Sequence, residues 1–515
     1  MDTPFISLSE RIRENARVDP EGVAVDIDSL RLDWRALDGW LNRIASRLAA
    51  GGIARGDRIA AIGPNSPEYL LLFLGGLRAG ACMVPLPTLA APDSLARMLQ
   101  DAEAKALFAA ASQRQAIESV RAQLPSSLDT FIGFDFDDPR WTGWGAWLEG
   151  ASSEATGVEV RPEDYFNIMY SSGTTGEPKG IVHSHQMRNE HITRMARFGI
   201  GPGTVTLIST PLYSNTTHAC LLGSIGLRGR TVLMRKFDAG EFLRLSQAER
   251  VTHAMLVPVQ YQRILAHPEF DRFDLGAYQW KLCTSAPLSP LVKRQAVTRW
   301  PGKMLEIYGH SEGGANCNMV VDENLDKLHT VGKPIPGCDI RMIDEQGREV
   351  PRGQPGEIVG RQPAMMSGYF KQPDKTEAVT WYDAEGNRYY RSGDVGYFDD
   401  DGYLVLLDRT KDMIVSGGFN VYAVDIERVI EQHPEVAEVA VIGVPSEQWG
   451  ETPVAFVVPR PGATLGAEDL RSWANERLGK LQRVSRVEVR ESLPRSDVGK
   501  VLKRELRAPY WKEQA

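Results

Sequence analysis

The sequence predicts an α/β protein with a small α+β unit at its C-terminal end, and three observations carry that expectation. Helical apolar spacing alternates with short apolar runs through the first part of the chain, the texture changes at Gly356 to short strands with tight turns, and a fresh helix–strand unit begins after Arg409. In order, Leu41, Ile44, Ala45 and Leu48 share one face of a 3.6-residue repeat that stops at Gly51-Gly52 and resumes as an apolar strand at 58–62. The same alternation recurs at 69–77 followed by 81–86, and again around 253–258, which favours α/β layers over bundles or sandwiches. From 356 onward GEIVG and NRYYRSGDVGYFDDDGYLVLLDR read as strands, with Asp401-Gly402 as a hairpin turn. The tail reads as a helix at 424–432, strands AEVAVIGV and TPVAFVV, and a helix at 467–478, a compact unit of about 100 residues. There is no internal repeat, heptad or low-complexity tract.

The chain has 515 residues, 42% of them hydrophobic, so several domains with sizeable cores are expected. Its 59 basic and 67 acidic residues give a net charge of −8 and no basic stripe, which argues against nucleic acid as a partner. YLLLFLGGL at 69–77 is far shorter than the roughly 18 apolar residues of a membrane span, and MDTPFISLSERIREN lacks an apolar signal core. A cytoplasmic protein without integral membrane association is the expectation. The five cysteines, Cys82, Cys220, Cys283, Cys317 and Cys338, are scattered without CxxC spacing and read as buried, reduced and structural. The ending YWKEQA carries no peroxisomal address.

The most informative stretch is SSGTTGEPKG at 171–180. Apart from Pro178 it has no apolar bulk, and its glycines raise the entropic cost of ordering it, so packing does not explain it. Backbone N–H groups that can turn inward, flanked by hydroxyls and one cation, offer donors without acceptors, which suits a polyphosphate. A flexible linker is the plainer alternative, but apolar runs at 166–170 and 181–182 frame the segment as strand, loop, strand. It is not a Walker loop: Pro178 precedes Lys179 and Gly180 follows it, where that motif needs glycine before the lysine and Ser or Thr after.

Four further segments complete a pattern: YGHSEGG (308–314), YYRSGDVGYFDDDGYL (389–404), DRTKDMIVSGGFNVYAVDIE (408–427) and PRSDVGKVLKREL (494–506). With the opening loop, and in this order, they resemble the signature motifs of the adenylate-forming superfamily, which includes acyl-CoA synthetases, adenylation domains of peptide synthetases and beetle luciferases. Five motifs spread over residues 170–506 cover most of the chain. The resemblance implies a large N-terminal domain, 1–409, of two αβ sheet subdomains plus a distorted β-barrel, and a small mobile C-terminal domain, 410–515. It also implies an ATP-dependent carboxylic acid:CoA ligase that makes an acyl-adenylate and pyrophosphate, then a thioester, with Mg2+ as cofactor and coenzyme A as co-substrate. That chemistry rests on charge neutralisation and positioning.

Carried onto this sequence, the resemblance gives Ser171, Ser172, Gly173, Thr174, Thr175, Gly176 and Lys179 to a β,γ-phosphate cradle. Tyr308, beside Gly309, would stack on adenine, with Ala286 and Pro287 where the chain passes the base. Ser311 would bond a phosphate, and Glu312, with Thr175, would hold Mg2+, a hard cation that prefers oxygen. Asp394 would bind the ribose hydroxyls and Arg409 the ribose or a phosphate. Lys500 would bridge the substrate carboxylate and the α-phosphate. Lys411 falls at the hinge about which the C-terminal domain rotates, bringing Ser416, Gly417 and Gly418 to the acyl-adenylate, where small residues let a pantetheine arm pass. A solvated surface lysine at 500 and plain turns at 394 and 416–418 are the alternative readings from the residues alone.

Departures from the pattern are Asp408, where glycine is usual, Ala423 with Asp425 in place of proline and glutamate, and Ser214 in TPLYSNTTH (210–218), where histidine or an aromatic is common. By position, Tyr213, Ser214, Val259, Tyr261, Thr284, His310, Gly313, Gly314 and Ala315 would line the acid pocket, and His218 or His310 would supply polarity. This mixture suits an aromatic or medium-chain acid better than a long alkyl chain. A carrier protein as acceptor, a long-chain acid, and a nucleotide-binding regulatory homologue remain as alternatives, and the chain is expected to act as a monomer or homodimer. Asp28-Ser29-Leu30 and Asp93-Ser94-Leu95 mimic part of a carrier site by chance. His183 and His185 alternate on a strand-like stretch, but nothing completes a zinc spacing, and no zinc is expected.

Overall fold

The computed structural model describes residues 4–511 apart from 156, 172–177, 410, 411, 417, 418, 481, 497 and 498, with Ser171, Arg409 and Asn420 described by their backbone only. Four sheets organise the described residues. The expected helix at 41–48 is part of Trp34–Ala50, N-capped by Asp33 through Ala36 N–H, and strand Arg58–Ile62 follows. Helix Pro67–Arg78 and strand Cys82–Pro85 realise the second alternation, and strand His253–Leu256 the third.

One sheet has nine strands, and its centre is parallel: Arg230–Leu233, Val205–Ile208, His253–Leu256, Trp280–Cys283 and Lys303–Gly309 lie side by side. Parallel strands buried on both faces read largely as apolar runs, and HAML and WKLC depart from this at one residue each, the buried His253 and Lys281. The second sheet has eight strands, with Cys82–Pro85, Arg58–Ile62 and Ala106–Ala109 parallel at its centre, then the antiparallel hairpin Tyr165–Ser171 with Lys179–Ser184, and Gly368–Tyr369 at that edge. A single apolar core joins both sheets through the helices between them: Ile44, Leu70, Phe73, Ile192, Leu221 and Ile225 all lie in it, each at most 1% exposed.

The section expected as a distorted barrel is an antiparallel five-stranded sheet of Asp339–Ile343, Gly356–Arg361, Arg388–Phe398, Thr380–Tyr382 and Leu404–Arg409. It stays open. No pairing among the described residues joins its outer strands, because Arg388–Phe398 receives Thr380–Tyr382 and Leu404–Arg409 at its two ends on the same side. The expected turn at Asp401-Gly402 is there, with Gly402 at φ 80° and Asp399 N–H donating to Tyr403 C=O.

The small C-terminal unit has its own core of Ile414, Ile426, Val441, Val457 and Leu470. Helix Ala423–Ile430, strands Val436–Ser446 and Gly450–Pro459, and helix Ala467–Asn475 match the expected order. Asp408, the departure from glycine, accepts from Ala423 N–H at 2.8 Å and so anchors the start of the first helix of this unit. All five cysteines are free, four of them buried and Cys338 partly so.

Candidate active site

Open α/β sheets bind ligands beyond the carboxyl ends of their parallel strands. In the nine-stranded sheet those ends are Ile208, Leu256, Cys283 and Gly309, and the segments that follow are 209–214, 257–259, 284–287 and 310–314. Most residues proposed for adenine and acid lie on these segments, so strand polarity alone gathers Ser214, Val259, Thr284, Ala286, Pro287, His310, Ser311 and Glu312 at one edge. Two local features brace that edge. Thr284 Oγ1 donates to Ile307 C=O at 2.9 Å, and Ser285 sits at φ 84°, a left-handed conformation that costs a β-carbon residue energy and is kept only where surroundings enforce it. Its hydroxyl bonds Thr216 Oγ1, tying the 284–287 turn to the start of helix Asn215–Gly226.

Tyr308 and His310 both aim at Asp394. The Tyr308 hydroxyl donates to Asp394 Oδ2 at 2.9 Å and His310 Nε2 donates to the same oxygen at 3.0 Å. Burial, and then the Asp394 charge, push the Tyr308 phenol well above its usual value, so it remains a donor. Asp394 is 8% exposed, and its strand partner in register is Arg409. The structure therefore brings together Tyr308, His310 and Asp394 from motifs 86 residues apart, with the Arg409 backbone alongside.

Glu312 is held from the neighbouring sheet. Tyr369 OH donates to Glu312 Oε1 at 3.0 Å, Met366 N–H donates to its carbonyl at 2.8 Å, and the Lys179 ammonium lies 5.3 Å from the Tyr369 ring centre. Lys179 and Ser171 are register partners in the hairpin. Gly313 and Gly314 have φ of 82° and 77°, and a Cβ on Gly313 would lie 2.3 Å from Ala364 C=O, so the turn after Glu312 admits only glycine there. The carbonyl of Ser311 accepts from His183 Nε2 at 2.7 Å. Since Nε2 donates, Nδ1 accepts, from Arg188 Nη2 at 2.7 Å and Asn167 Nδ2 at 3.0 Å. His183 is on a strand as expected, whereas His185 opens helix His185–Met195, so the two do not alternate on one strand. Among the described residues no group of three or more His, Cys, Asp or Glu is placed to hold a metal ion.

Lys500 arrives on a tight turn. Ser496 N–H donates to Lys500 C=O, Lys500 N–H donates to Ser496 Oγ, and Arg495 Nη1 donates to Gly499 C=O while pairing with Glu438. Gly499 has φ 75°, and a Cβ there would fall 2.4 Å from Val259 Cγ1. The C-terminal unit thus lays the Lys500 turn on the 257–259 segment. Tyr261 stands apart: it is fully buried, donates to Leu282 C=O and packs 5.8 Å from Trp300, so it belongs to the core behind the pocket. His218 is also enclosed, donating to Leu212 C=O and packing at a tilt with its ring centre 4.7 Å from that of Phe73. Ser172, Gly173, Thr174, Thr175, Gly176, Lys411, Gly417 and Gly418 lie outside the described residues, and Ser416 is buried on a short strand. Sequence reasoning missed Arg188, Asn167, Asn215 and Tyr369. A signal existed for the first: His185, Arg188, Asn189 and Ile192 share one helical face that also packs inward.

Comparison with known proteins accords with this geometry. Residues 12–370 match the AMP-binding enzyme family and residues 425–500 match the AMP-binding enzyme C-terminal domain. A feruloyl-CoA synthase from Amycolatopsis sp is 32% identical over 507 residues, covering 96% of this chain and 97% of the relative. The long-chain-fatty-acid–CoA ligase FadD13 of Mycobacterium tuberculosis is 32% identical, covering 97% of each. Among solved structures, ATP-bound MatB from Rhodopseudomonas palustris superposes with a TM-score of 0.87 at 30% identity, covering 99% of this chain and 100% of that one. The chain belongs to the AMP-binding enzyme family, within the adenylate-forming superfamily, and is an enzyme, an AMP-forming ligase of the acyl-CoA synthetase kind.

Proposed function

We propose that the protein is a carboxylic acid:CoA ligase acting through an acyl-adenylate, with an aromatic or medium-chain acid as substrate. The observation that supports this reading best is the meeting of the Lys500 turn with Val259 at the strand edge that also carries Thr284, His310 and Glu312. In this reading the 1–409 unit binds ATP and acid, and 410–515 moves as one body. Lys500 neutralises the carboxylate and α-phosphate oxygens as they approach, which removes the main barrier to joining two anions. Tyr308 and His310 hold Asp394 through its Oδ2 for the ribose hydroxyls, and Ala286 and Pro287 border the base. Residues 171–177 with Lys179 face the β,γ-phosphates and Ser311 a further phosphate oxygen. Glu312, one of whose oxygens is held by Tyr369, carries the donor type that Mg2+ takes alongside phosphate and water. When bound, Mg2+ would neutralise the pyrophosphate leaving group. After rotation near Lys411, Ser416 with Gly417 and Gly418 would border the thiol's path.

Ser214, 6% exposed and making no cap bond to its own helix, is left with Tyr213 and the Gly313-Gly314 turn to shape the acid pocket. A panel of acids spanning acetate, benzoates, octanoate and palmitate, read as AMP release with CoA present, tests the reading. Highest kcat/KM for a benzoate or octanoate is expected. A clear preference for acetate or palmitate would remove the substrate class, and AMP release that ignores CoA would remove CoA as acceptor.

A further inference from the structure

The charge that stands out in this molecule is Arg188. It is 1% exposed, and all its donors are used: Nε and Nη2 on Asn167 Oδ1 at 3.1 and 2.9 Å, Nη2 also on His183 Nδ1, and Nη1 on Asn215 Oδ1 at 2.9 Å and His191 Nδ1 at 3.4 Å. Every one of those acceptors is neutral. Among the described residues no carboxylate meets the guanidinium, and burial alone pulls it down to about 9. A buried cation is ordinarily matched by an anion, because an unmatched one carries most of its desolvation cost.

The bonds around Arg188 also fix which way its neighbours are polarised. Asn215 spends its carbonyl oxygen on Arg188, so its Nδ2 hydrogens remain. His191 accepts at Nδ1, so its proton is on Nε2, and burial together with the Arg188 charge holds the ring neutral. Neither Asn215 Nδ2 nor His191 Nε2 has a partner among the described residues. Both residues are partly accessible while Arg188 behind them is not. Asn215 is also the first residue of helix Asn215–Gly226, whose cap Ser214 makes no side-chain bond to the first turn, which adds the positive end of a helix dipole. The partly accessible edge formed by Asn215 and His191 therefore presents donors, with a cation behind it.

Its place in the molecule ties it to the proposed acid pocket. Asn215 follows Ser214, Thr216 bonds Ser285 beside Ala286, and the Arg188–His183 pair ends on the Ser311 carbonyl. We propose that this edge borders the far end of the acyl pocket and takes an acid whose remote end carries an acceptor oxygen, a ring hydroxyl or a second carboxylate. The inference rests on the ligase reading above and narrows its substrate class. A site built of buried donors discriminates against ligands that leave those donors unpaired.

Matched pairs of acids test it: benzoate against 4-hydroxybenzoate, cinnamate against 4-hydroxycinnamate, and hexanoate against adipate, each read by acid-dependent pyrophosphate exchange. The oxygen-bearing member of at least one pair is expected to have a kcat/KM about tenfold higher or more; the pair that responds distinguishes a hydroxyl from a carboxylate. Asn215→Asp supplies the missing anion to Arg188, so its melting temperature should rise and the preference should collapse. Asn215→Leu, which removes the donor without adding charge, should also erase the preference and serves if the aspartate variant folds poorly. Equal use of both members of every pair by the native enzyme overturns the inference, as does a preference that survives in Asn215→Leu, or a well-folded Asn215→Asp no more stable than the native protein. Exchange with no acid at all would instead overturn the ligase reading, and this inference with it.

Discussion

Lys293 and Glu306 form an ion pair at 2.5 Å with side chains only 2% and 3% exposed, between the helix Pro290–Arg299 and the strand that ends at Gly309. Lys293 also donates to the carbonyls of Leu328 and Thr330, and Glu306 accepts from Leu288 N–H, so each charge is satisfied only through the other's presence. Lys293→Met strands a buried carboxylate and two carbonyl acceptors, and should destabilise the protein by about 3–5 kcal/mol in denaturant titration. His183, His191 and His218 carry a second residue-level consequence. Burial first, then the Arg188 charge, holds all three well below the usual histidine value. A depressed histidine contributes stability that is full above its unfolded value, about 6.5, and is lost as pH falls. The melting temperature of the native protein should therefore drop between pH 7 and pH 5, and less steeply in His218→Phe, where one of the three groups is gone. No sequence pattern announces these histidines as buried and neutral, because their partners lie anywhere from 3 to 128 residues away in the chain.

At the scale of single elements, the helix His185–Met195 and the turn at 495–501 carry the argument. The helix delivers Arg188 and His191, and its cap is Ser184, whose hydroxyl accepts from Met187 N–H. Ser184→Ala should cost about 1 kcal/mol, and circular dichroism melts would read it. The turn places Lys500 by close approach of Gly499 to Val259, where φ is also left-handed. Gly499→Leu should therefore lower pyrophosphate exchange strongly with the fold intact, and Val259→Ala in the same chain should restore part of it by removing the collision. Elements of this kind were largely legible. The runs at 58–62, 81–86 and 253–258 became strands because buried parallel strands are written as largely apolar text, and the SSGTTGEPKG flanks became a hairpin because its glycines interrupt two such runs. The open sheet in place of a barrel was not legible, since closure depends on which strand edges meet and local patterning is the same either way. Tyr261 illustrates the matching limit for the site: its place in the chain puts it after a pocket segment, but one helical turn rotates it into the core with Trp300.

Polar contacts among the described residues link the 1–409 part to the 410–515 part, the border at which the proposed rotation would act. Arg428 donates to His329 C=O, Ala423 N–H donates to Asp408, and Glu431 at the end of helix Ala423–Ile430 faces Ser289 across the border. Burial, and then Glu427, raise Glu431 to about 7, with Arg428 opposing. A raised carboxyl stabilises this arrangement fully below its ordinary value and loses that contribution as pH climbs through about 7. The Lys500-docked arrangement should thus be more populated at pH 6 than at pH 8, and Glu431→Gln should flatten that dependence in limited proteolysis of the 410–425 segment. The domain order and the five motifs were readable in the chain, whereas the contacts that set one domain against the other were not, because each is a pairing of unremarkable polar residues. If the docked Lys500 turn completes an adenylating site, acid-dependent exchange of radiolabelled pyrophosphate into ATP should fall in Lys500→Ala by a factor on the order of 10²–10³ with an unchanged melting temperature; a folded Lys500→Ala that exchanges within about threefold of the native rate would show that it does not.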